Sequence, residues 1–356
     1  MRAHEPLGVA FVGCGNIAGP YAETMKPHAD RLRLVGAFDI NPEATTAFAA
    51  KHGCKAYSSL EELLADEAVE LAVNLTTHLA HAEVTQRLLR GRKHVHSEKP
   101  LAATRDDAQA CLDLAAERGL QLTCSPFVIL GEAQQAFKKA VSDGLIGEPR
   151  EVYAEMNWSR IETWHPAPAP FYGPGAGPLL DVGCYPLHVL TQVFGSVASV
   201  RAMAGTRLAE RTVASGPNAG QKFRVRSHDH ACVLMEFRSG LRARLTTSFL
   251  ALKSAQQGIE AHGTAGSLRL ESVIAFNSPL WLFRQGDDDW QRVPVSDDAY
   301  RGVEWARGLL DAAEALRTGR PPTCPGAAAY HILDICLAAL EAAKSGTTIP
   351  VASTCP

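Results

Sequence analysis

Two clusters in this chain have residue types and spacing suited to proton transfer. The first is Glu98-Lys99-Pro100, which follows His94-Val95-His96-Ser97 and closes that run with a proline. The run reads as a strand, and in an open α/β sheet ligands bind outside the carboxyl ends of the strands. An amine placed there can exchange a proton with a hydroxyl group if burial and nearby positive charge lower its pKa from about 10.4 toward neutrality. Neighbouring charges are more often plain surface, so this stretch needs support from the rest of the chain. The second cluster is Asp181, Tyr185 and His188. Positions i, i+4 and i+7 of a helix lie near one side, so three titratable groups would share a stripe. The competing reading is a buried trio hydrogen-bonded to one another.

The elements that must position Lys99 begin at the N-terminus. Leu7 to Val12 is a short apolar run, followed at once by Gly13-Cys14-Gly15-Asn16-Ile17-Ala18 and by helical spacing through Tyr21 and Met25. This is a Gly-x-Gly-x-x-Ala dinucleotide fingerprint in its strand–turn–helix context. Gly13 makes the tight turn, Gly15 leaves room for a pyrophosphate at the helix N-terminus, and Ala18 lets the helix pack on the strand. The next strand ends at Asp39, 26 residues after Gly13, against about 20 in the usual pattern. Its carboxylate suits the adenosine ribose hydroxyls and repels a 2′-phosphate. Ile40 and Asn41 follow, with no arginine, so NAD is favoured and NADP is possible. Asp39 would equally cap the helix opening at Pro42-Glu43. Strands and helices alternate from there to about Cys124, which calls for a parallel doubly wound sheet. The turn Thr76-Thr77-His78-Leu79-Ala80-His81 and the Glu98-Lys99-Pro100 turn both fall on its cofactor side.

Bulk properties narrow the classes. A chain of 356 residues exceeds one core and predicts two domains. A formal net charge of −3 gives no footprint for nucleic acid or an anionic membrane. No apolar run approaches the roughly 18 residues of a membrane span. Met1 to Pro6 leads into the first strand with no apolar signal region. The nine cysteines form no Cys-x-x-Cys pair, so neither a metal site nor a disulfide framework is expected, and a reduced cytoplasmic setting is.

After Ile146-Gly147-Glu148-Pro149 the pattern turns strand-rich, with a hairpin signal at Ser239-Gly240. Runs of strands without intervening helices predict a large, mostly antiparallel sheet. The domains are expected at 1–125 and 126–356. The loop Trp164 to Gly175 is too rich in proline and glycine for a core element. It makes either a stiff pocket wall or a rigid linker.

The chain resembles the Gfo/Idh/MocA oxidoreductases, the family of glucose–fructose oxidoreductase, inositol dehydrogenase and dihydrodiol dehydrogenase. The matching residues are Gly13-x-Gly15-x-x-Ala18, Asp39, Thr76-Thr77-His78-x-x-His81 and Gly91-Arg92-Lys93-His94-Val95 running into Glu98-Lys99-Pro100-Leu101. Gly175 through His188, Phe194-Gly195 and His262 through Leu268 continue the match. The family usually has Thr-Pro-Asn-x-x-His in the second turn, so Thr77 and His78 depart from it. Many members carry His where Tyr185 stands, and Trp-Arg where Trp164-His165 stand.

The resemblance implies an NAD(P)-binding Rossmann domain and an α+β second domain. It implies that helices at about 301–345 pack back on the first domain and that the second domain's sheet makes a homodimer or homotetramer. Lys99, Asp181 and Tyr185 are then the catalytic candidates, with the choice between Lys99 and Tyr185 as proton carrier left open. Gly13, Gly15, Asn16, Ile17, Asp39, Thr76, Thr77, His78, His81, Glu98 and Lys99 are the cofactor candidates. Trp164, His165, Asp181, Tyr185 and His188 are the substrate candidates. The implied reaction is hydride exchange with a sugar, cyclitol or related polyol or keto-sugar. An NAD-dependent glycosidase and a non-catalytic cofactor-binding sensor are the alternatives on the same fold.

Overall fold

Leu7–Val12 (β1) is buried along its whole length, as a strand covered on both faces must be. The computed structural model describes residues 5–355; residues 1–4, on which the expectation about a leader partly rests, and residue 356 lie outside them. β1 pairs with Leu32–Phe38 (β2) and Leu71–Asn74 (β4). Lys55–Ala56 (β3), His94–Ser97 (β5) and Leu122–Cys124 (β6) complete a parallel sheet ordered β3-β2-β1-β4-β5-β6. The order reverses between β1 and β4, which is where such sheets open a ligand crevice.

The crossover helices are Ala18–Met25 (α1), Pro42–His52 (α2), Leu60–Ala65 (α3), His81–Arg90 (α4) and Arg105–Arg118 (α5). Their ends follow local chemistry. The Asn41 side chain accepts the Glu43 amide and Pro42 opens α2. Thr104 accepts the Asp107 amide at the start of α5, and Gly119 closes that helix at φ 62°, a left-handed geometry that favours glycine.

This first compact unit ends at Phe127 and takes back Glu304–Tyr330. Trp305 returns against Tyr21 and Phe127, with ring centroids 5.6 and 5.9 Å apart. The returning stretch was expected at about 301–345. His331 onward belongs instead to the second unit. There His331 accepts the Val197 amide on one ring nitrogen and meets Ser353 on the other.

Among the described residues the second unit holds nine strands in one sheet: Pro149–Asn157 (β7), Val197–Gly205 (β8), His230–Phe237, Arg242–Ser248, Gln257–Gly263, Gly266–Leu270, Leu280–Arg284, Gln291–Val293 and Ile349–Pro350. β7 runs parallel to Arg242–Ser248; the remaining pairs of this sheet are antiparallel. Burial alternates along His230–Phe237, with Ala231, Val233, Met235 and Phe237 inside. The helices Pro178–Asp181 (α6) and Cys184–Phe194 (α7) lie against the sheet. A separate two-stranded hairpin, Glu210–Thr212 (β9) with Lys222–Arg224 (β10), escaped the sequence reading.

The helix Gly326–Ser345 is long and apolar enough, by length and composition alone, to cross a membrane. His331 and Asp334 interrupt its apolar run. About 67% of its most apolar window is buried inside the protein, as in a core helix.

Candidate dinucleotide and proton-transfer site

Strand register sets the geometry of the first unit. Phe38, Val12, Asn74, Ser97 and Cys124 pair in a row across the sheet. The next residues along each strand are therefore neighbours at the carboxyl edge: Asp39, Gly13, Leu75 and Thr76, Glu98 and Lys99, and Ser125. Residues distant in sequence reach one edge because parallel strands all end on the same side.

Gly13 has φ 101°, and a Cβ there would lie 2.6 Å from the Leu75 carbonyl oxygen. No other residue fits that turn without displacing backbone. Gly15 is the opposite case, with nothing within 4 Å of its Cβ position. α1 starts at Ala18 with no side-chain cap from Ile17 and no acidic residue in its first turn. Within that turn the Ala18 amide donates to the Gly15 carbonyl at 3.1 Å and the Tyr21 amide to the Ile17 carbonyl at 3.3 Å, and Pro20 has no N–H, so attraction for an anion rests on the positive end of the helix dipole. The Asp39 carboxylate accepts the Cys14 amide at 2.8 Å on Oδ2 and the Asn41 amide at 2.8 Å on Oδ1. Asn16 and Ile17 complete the turn between these groups. Open space above Gly15, the N-terminus of α1 and a fixed carboxylate fit a dinucleotide.

Glu98 was expected to face the cofactor, but only 8% of it is exposed. Its Oε1 accepts the Tyr21 hydroxyl at 2.7 Å and the Ser125 hydroxyl at 3.0 Å, and its Oε2 accepts the Lys99 amide at 3.0 Å. Behind it His96 sits fully buried, with Nδ1 2.9 Å from Thr123 Oγ1 and Nε2 3.3 Å from Ser125 Oγ. Burial pulls His96 down to about 4, so it is neutral at ordinary pH. Lys99 is half-buried at the turn this network holds.

His81 is also turned inward. Its Nδ1 lies 2.7 Å from the Pro100 carbonyl and its Nε2 3.0 Å from the Thr76 carbonyl, so the ring ties two edge turns together. Burial lowers its pKa, while the two carbonyls and Glu98 favour the proton. Buried Asn74 donates to the His81 carbonyl and to Thr85, and accepts from the Thr76 hydroxyl at 2.6 Å. Thr77 is exposed and His78 half-buried beside them. Tyr21, Asn74, His96 and Ser125 were missed. The available signal was a run of polar residues, His94, His96 and Ser97, around Val95 in a strand that the parallel sheet buries.

In the second unit the expected single stripe is broken. α6 ends at Asp181, Val182 and Gly183 intervene, and α7 begins at Cys184. Gly183 is needed there, since a Cβ would lie 2.5 Å from the Leu179 carbonyl oxygen and 3.0 Å from Thr247 Cγ2. Asp181 and Tyr185 remain partly exposed on either side of the break. His188 does not: it is 1% exposed, burial pulls it down to about 3, and its Nδ1 has no partner. It is a neutral core residue in this structure. Trp164 is 50% exposed. His165 packs between Trp164 and Phe171, at 5.5 and 5.0 Å between centroids. Burial lowers the His165 pKa and the nearby Asp181 carboxylate opposes that shift. Among the described residues no group of His, Cys, Asp and Glu could hold a metal ion.

The open space above Gly15 makes a sharp prediction. Gly15→Ala should melt like the wild type, yet bind NADH about tenfold or more weakly by fluorescence titration, a loss of about 1.4 kcal/mol. Wild-type affinity in that variant would show that no pyrophosphate passes over Gly15.

Comparison with known proteins agrees with this geometry. Residues 7–125 match an oxidoreductase family with an NAD-binding Rossmann fold, and residues 134–269 match the GFO/IDH/MocA C-terminal domain. The chain is 30% identical over 309 residues to dTDP-3,4-didehydro-2,6-dideoxy-alpha-D-glucose 3-reductase of Streptomyces violaceoruber, with 83% of each chain covered. It is 25% identical over 288 residues to inositol 2-dehydrogenase of Rhizobium meliloti (strain 1021), with 81% of each covered. The fold matches that of levoglucosan dehydrogenase in complex with NADH and levoglucosan. That match has a TM-score of 0.84 at 18% identity and covers 98% of this chain and 100% of that one. With the fingerprint edge, the strand-rich second unit and both family regions in one chain, the protein belongs to the Gfo/Idh/MocA family and is an NAD(P)-dependent oxidoreductase.

Proposed function

We propose that the protein exchanges a hydride between NAD(P) and a CH–OH carbon of a sugar, cyclitol or related polyol or keto-sugar, with Lys99 as acid/base. The observation that carries this is the position of Lys99, one residue beyond Glu98 on the edge that bears Gly13 and Asp39. The substrate class is supported by relatives named for a deoxy-keto-sugar and for inositol.

The bound nicotinamide supplies the hydride acceptor or donor. The chain's own part is to orient the alcohol and move one proton. In oxidation, neutral Lys99 Nζ takes the hydroxyl proton as the C–H electron pair leaves the carbon. In reduction, the ammonium returns that proton to the carbonyl oxygen. Glu98 contributes through the Lys99 amide, fixing the backbone from which the side chain reaches. Asp181 and Tyr185 are the hydroxyl-binding groups of the second unit, and Tyr185 is the other possible proton carrier. Asp39 with Ile40 and Asn41 favours NAD, since a carboxylate repels a 2′-phosphate.

The second unit's exposed sheet face carries Met203 and Leu234, 80% and 58% exposed. Their exposure supports self-association through that face. Sedimentation at micromolar concentration should give a dimer or tetramer; a monomer would count against it.

A thermal-shift panel of sugars and cyclitols with NAD, NADH and NADPH identifies ligands, because a ligand that binds the folded state raises its melting temperature. With a sugar so found, Lys99→Met should keep NADH affinity while turnover falls about 100-fold or more. Tyr185→Phe should lose less than about tenfold. The opposite ranking would hand proton transfer to Tyr185. Release of a glycosyl leaving group without net cofactor reduction would indicate the glycosidase, and binding without any chemistry the sensor.

A further inference from the structure

A buried charge cluster in the second unit is made of residues that the reading above does not use. Arg211, in the middle of β9, has a side chain only 1% exposed. Its Nη1 donates to Glu162 Oε1 at 2.7 Å and to the Phe249 carbonyl at 3.2 Å, and its Nη2 donates to Asp229 Oδ2 at 3.1 Å. The guanidinium carbon stands 4.6 Å from the centre of the Tyr172 ring. Tyr172 donates its hydroxyl to Glu162 Oε2 and accepts the Ile161 amide. Burial, then the bond to Glu162, raises the Tyr172 pKa, so the phenol stays a donor. Asp229 accepts the Arg207 and Leu208 amides as well.

Three charges taken out of water cost several kcal/mol each, and apolar packing of similar volume commonly stabilises a fold as well or better. Stability is therefore a poor explanation for the cluster. Its geometric effect is specific. Glu162 lies two residues before Trp164, and Tyr172 lies seven after His165, so one guanidinium holds both ends of the proline-rich loop. The hairpin adds to that hold: the Ala214 amide donates to the Glu162 carbonyl at 2.8 Å, and the Arg226 amide donates to the Tyr172 carbonyl at 2.8 Å. Beside Asp229, His228 Nε2 accepts the Leu179 amide at 3.1 Å, in the first turn of α6. Burial takes His228 down to about 4, which keeps that nitrogen an acceptor. α6 ends at Asp181.

We propose that Arg211 is a positioning residue for substrate binding. Through Glu162, Asp229 and Tyr172 it sets the loop bearing Trp164 and His165, and through the Asp229–His228 corner it supports the helix bearing Asp181. The functional part of this inference rests on the sugar oxidoreductase reading above. The sugar, and not the cofactor, is the ligand whose binding depends on Arg211.

The test compares wild type with Arg211→Lys, which keeps the charge but cannot bridge two carboxylates through a planar fork. Arg211→Met is a second, harsher variant, and the lysine form carries the test if the methionine form does not fold. Hydrogen exchange read by mass spectrometry needs no substrate. In Arg211→Lys, amides of residues 161–177 should exchange about tenfold faster or more, with the strand amides of 230–248 unchanged. The KM for the sugar found in the ligand panel should rise about tenfold, with the KM for NAD and kcat within about threefold. A loop protected as in the wild type would overturn the proposal, and so would a loosened loop with an unchanged sugar KM. If no sugar supports turnover in the wild type, the functional reading fails, and loop exchange alone then decides whether Arg211 positions these elements.

Discussion

A carboxylate buried in a protein must have its oxygens filled by donors, because no water is there to fill them. At the sheet edge of the first unit that requirement falls on Glu98, and much of the site follows from how it is met. The donors come from Tyr21 on α1, from Ser125 just past β6, and from the amide of Lys99 itself. One anion therefore links the helix that starts at the dinucleotide turn, the end of the last strand and the proposed acid/base. Its hydrogen bonds are charge-assisted, the stronger kind. Neutral, buried His96 behind Ser125 lets the cluster carry a single charge. Lys99 then projects from a backbone held at several points, which suits a group that must reach one hydroxyl reproducibly.

The second unit meets a comparable requirement with a different device. Its sheet covers one face with helices and leaves Met203 and Leu234 exposed on the other. The proline-rich loop and the Asp181 turn are irregular backbone, which a sheet cannot hold by ladder bonds. The β9–β10 hairpin supplies part of the missing constraint through Arg211, and His228, just before the strand His230–Phe237, supplies another part. The hairpin's strands are only three residues each, so their role is better described as carrying Arg211 than as extending a sheet.

Much of this was legible in the sequence where the cause is local. Gly13, Gly15 and Ala18 announce their turn because each answers a separate steric demand within six residues. The alternation of strands and helices to Cys124 carried the parallel sheet, and the runs of strands after Pro149 without regularly alternating helices carried the antiparallel one. What was not legible has non-local causes. Tyr21 and Glu98 are 77 residues apart, and nothing near either names the other. Arg211 and Glu162 are 49 apart, with Arg211 in a hairpin too short for a periodic pattern. His188 shows a further limit: it fits the helical spacing from Asp181, but a two-residue break and a turn toward the core remove it from the partly exposed groups.

The most direct test of the central claim follows the hydride itself. A sugar or cyclitol that stabilises the protein together with NAD would be deuterated at its carbinol carbon and incubated with the enzyme and NAD. The reduced cofactor would then be examined by mass spectrometry. The account predicts that the deuterium appears on the nicotinamide ring of NADH, in step with formation of the keto product. Product formation with the deuterium still on the sugar or lost to water, and none on the cofactor, would contradict it.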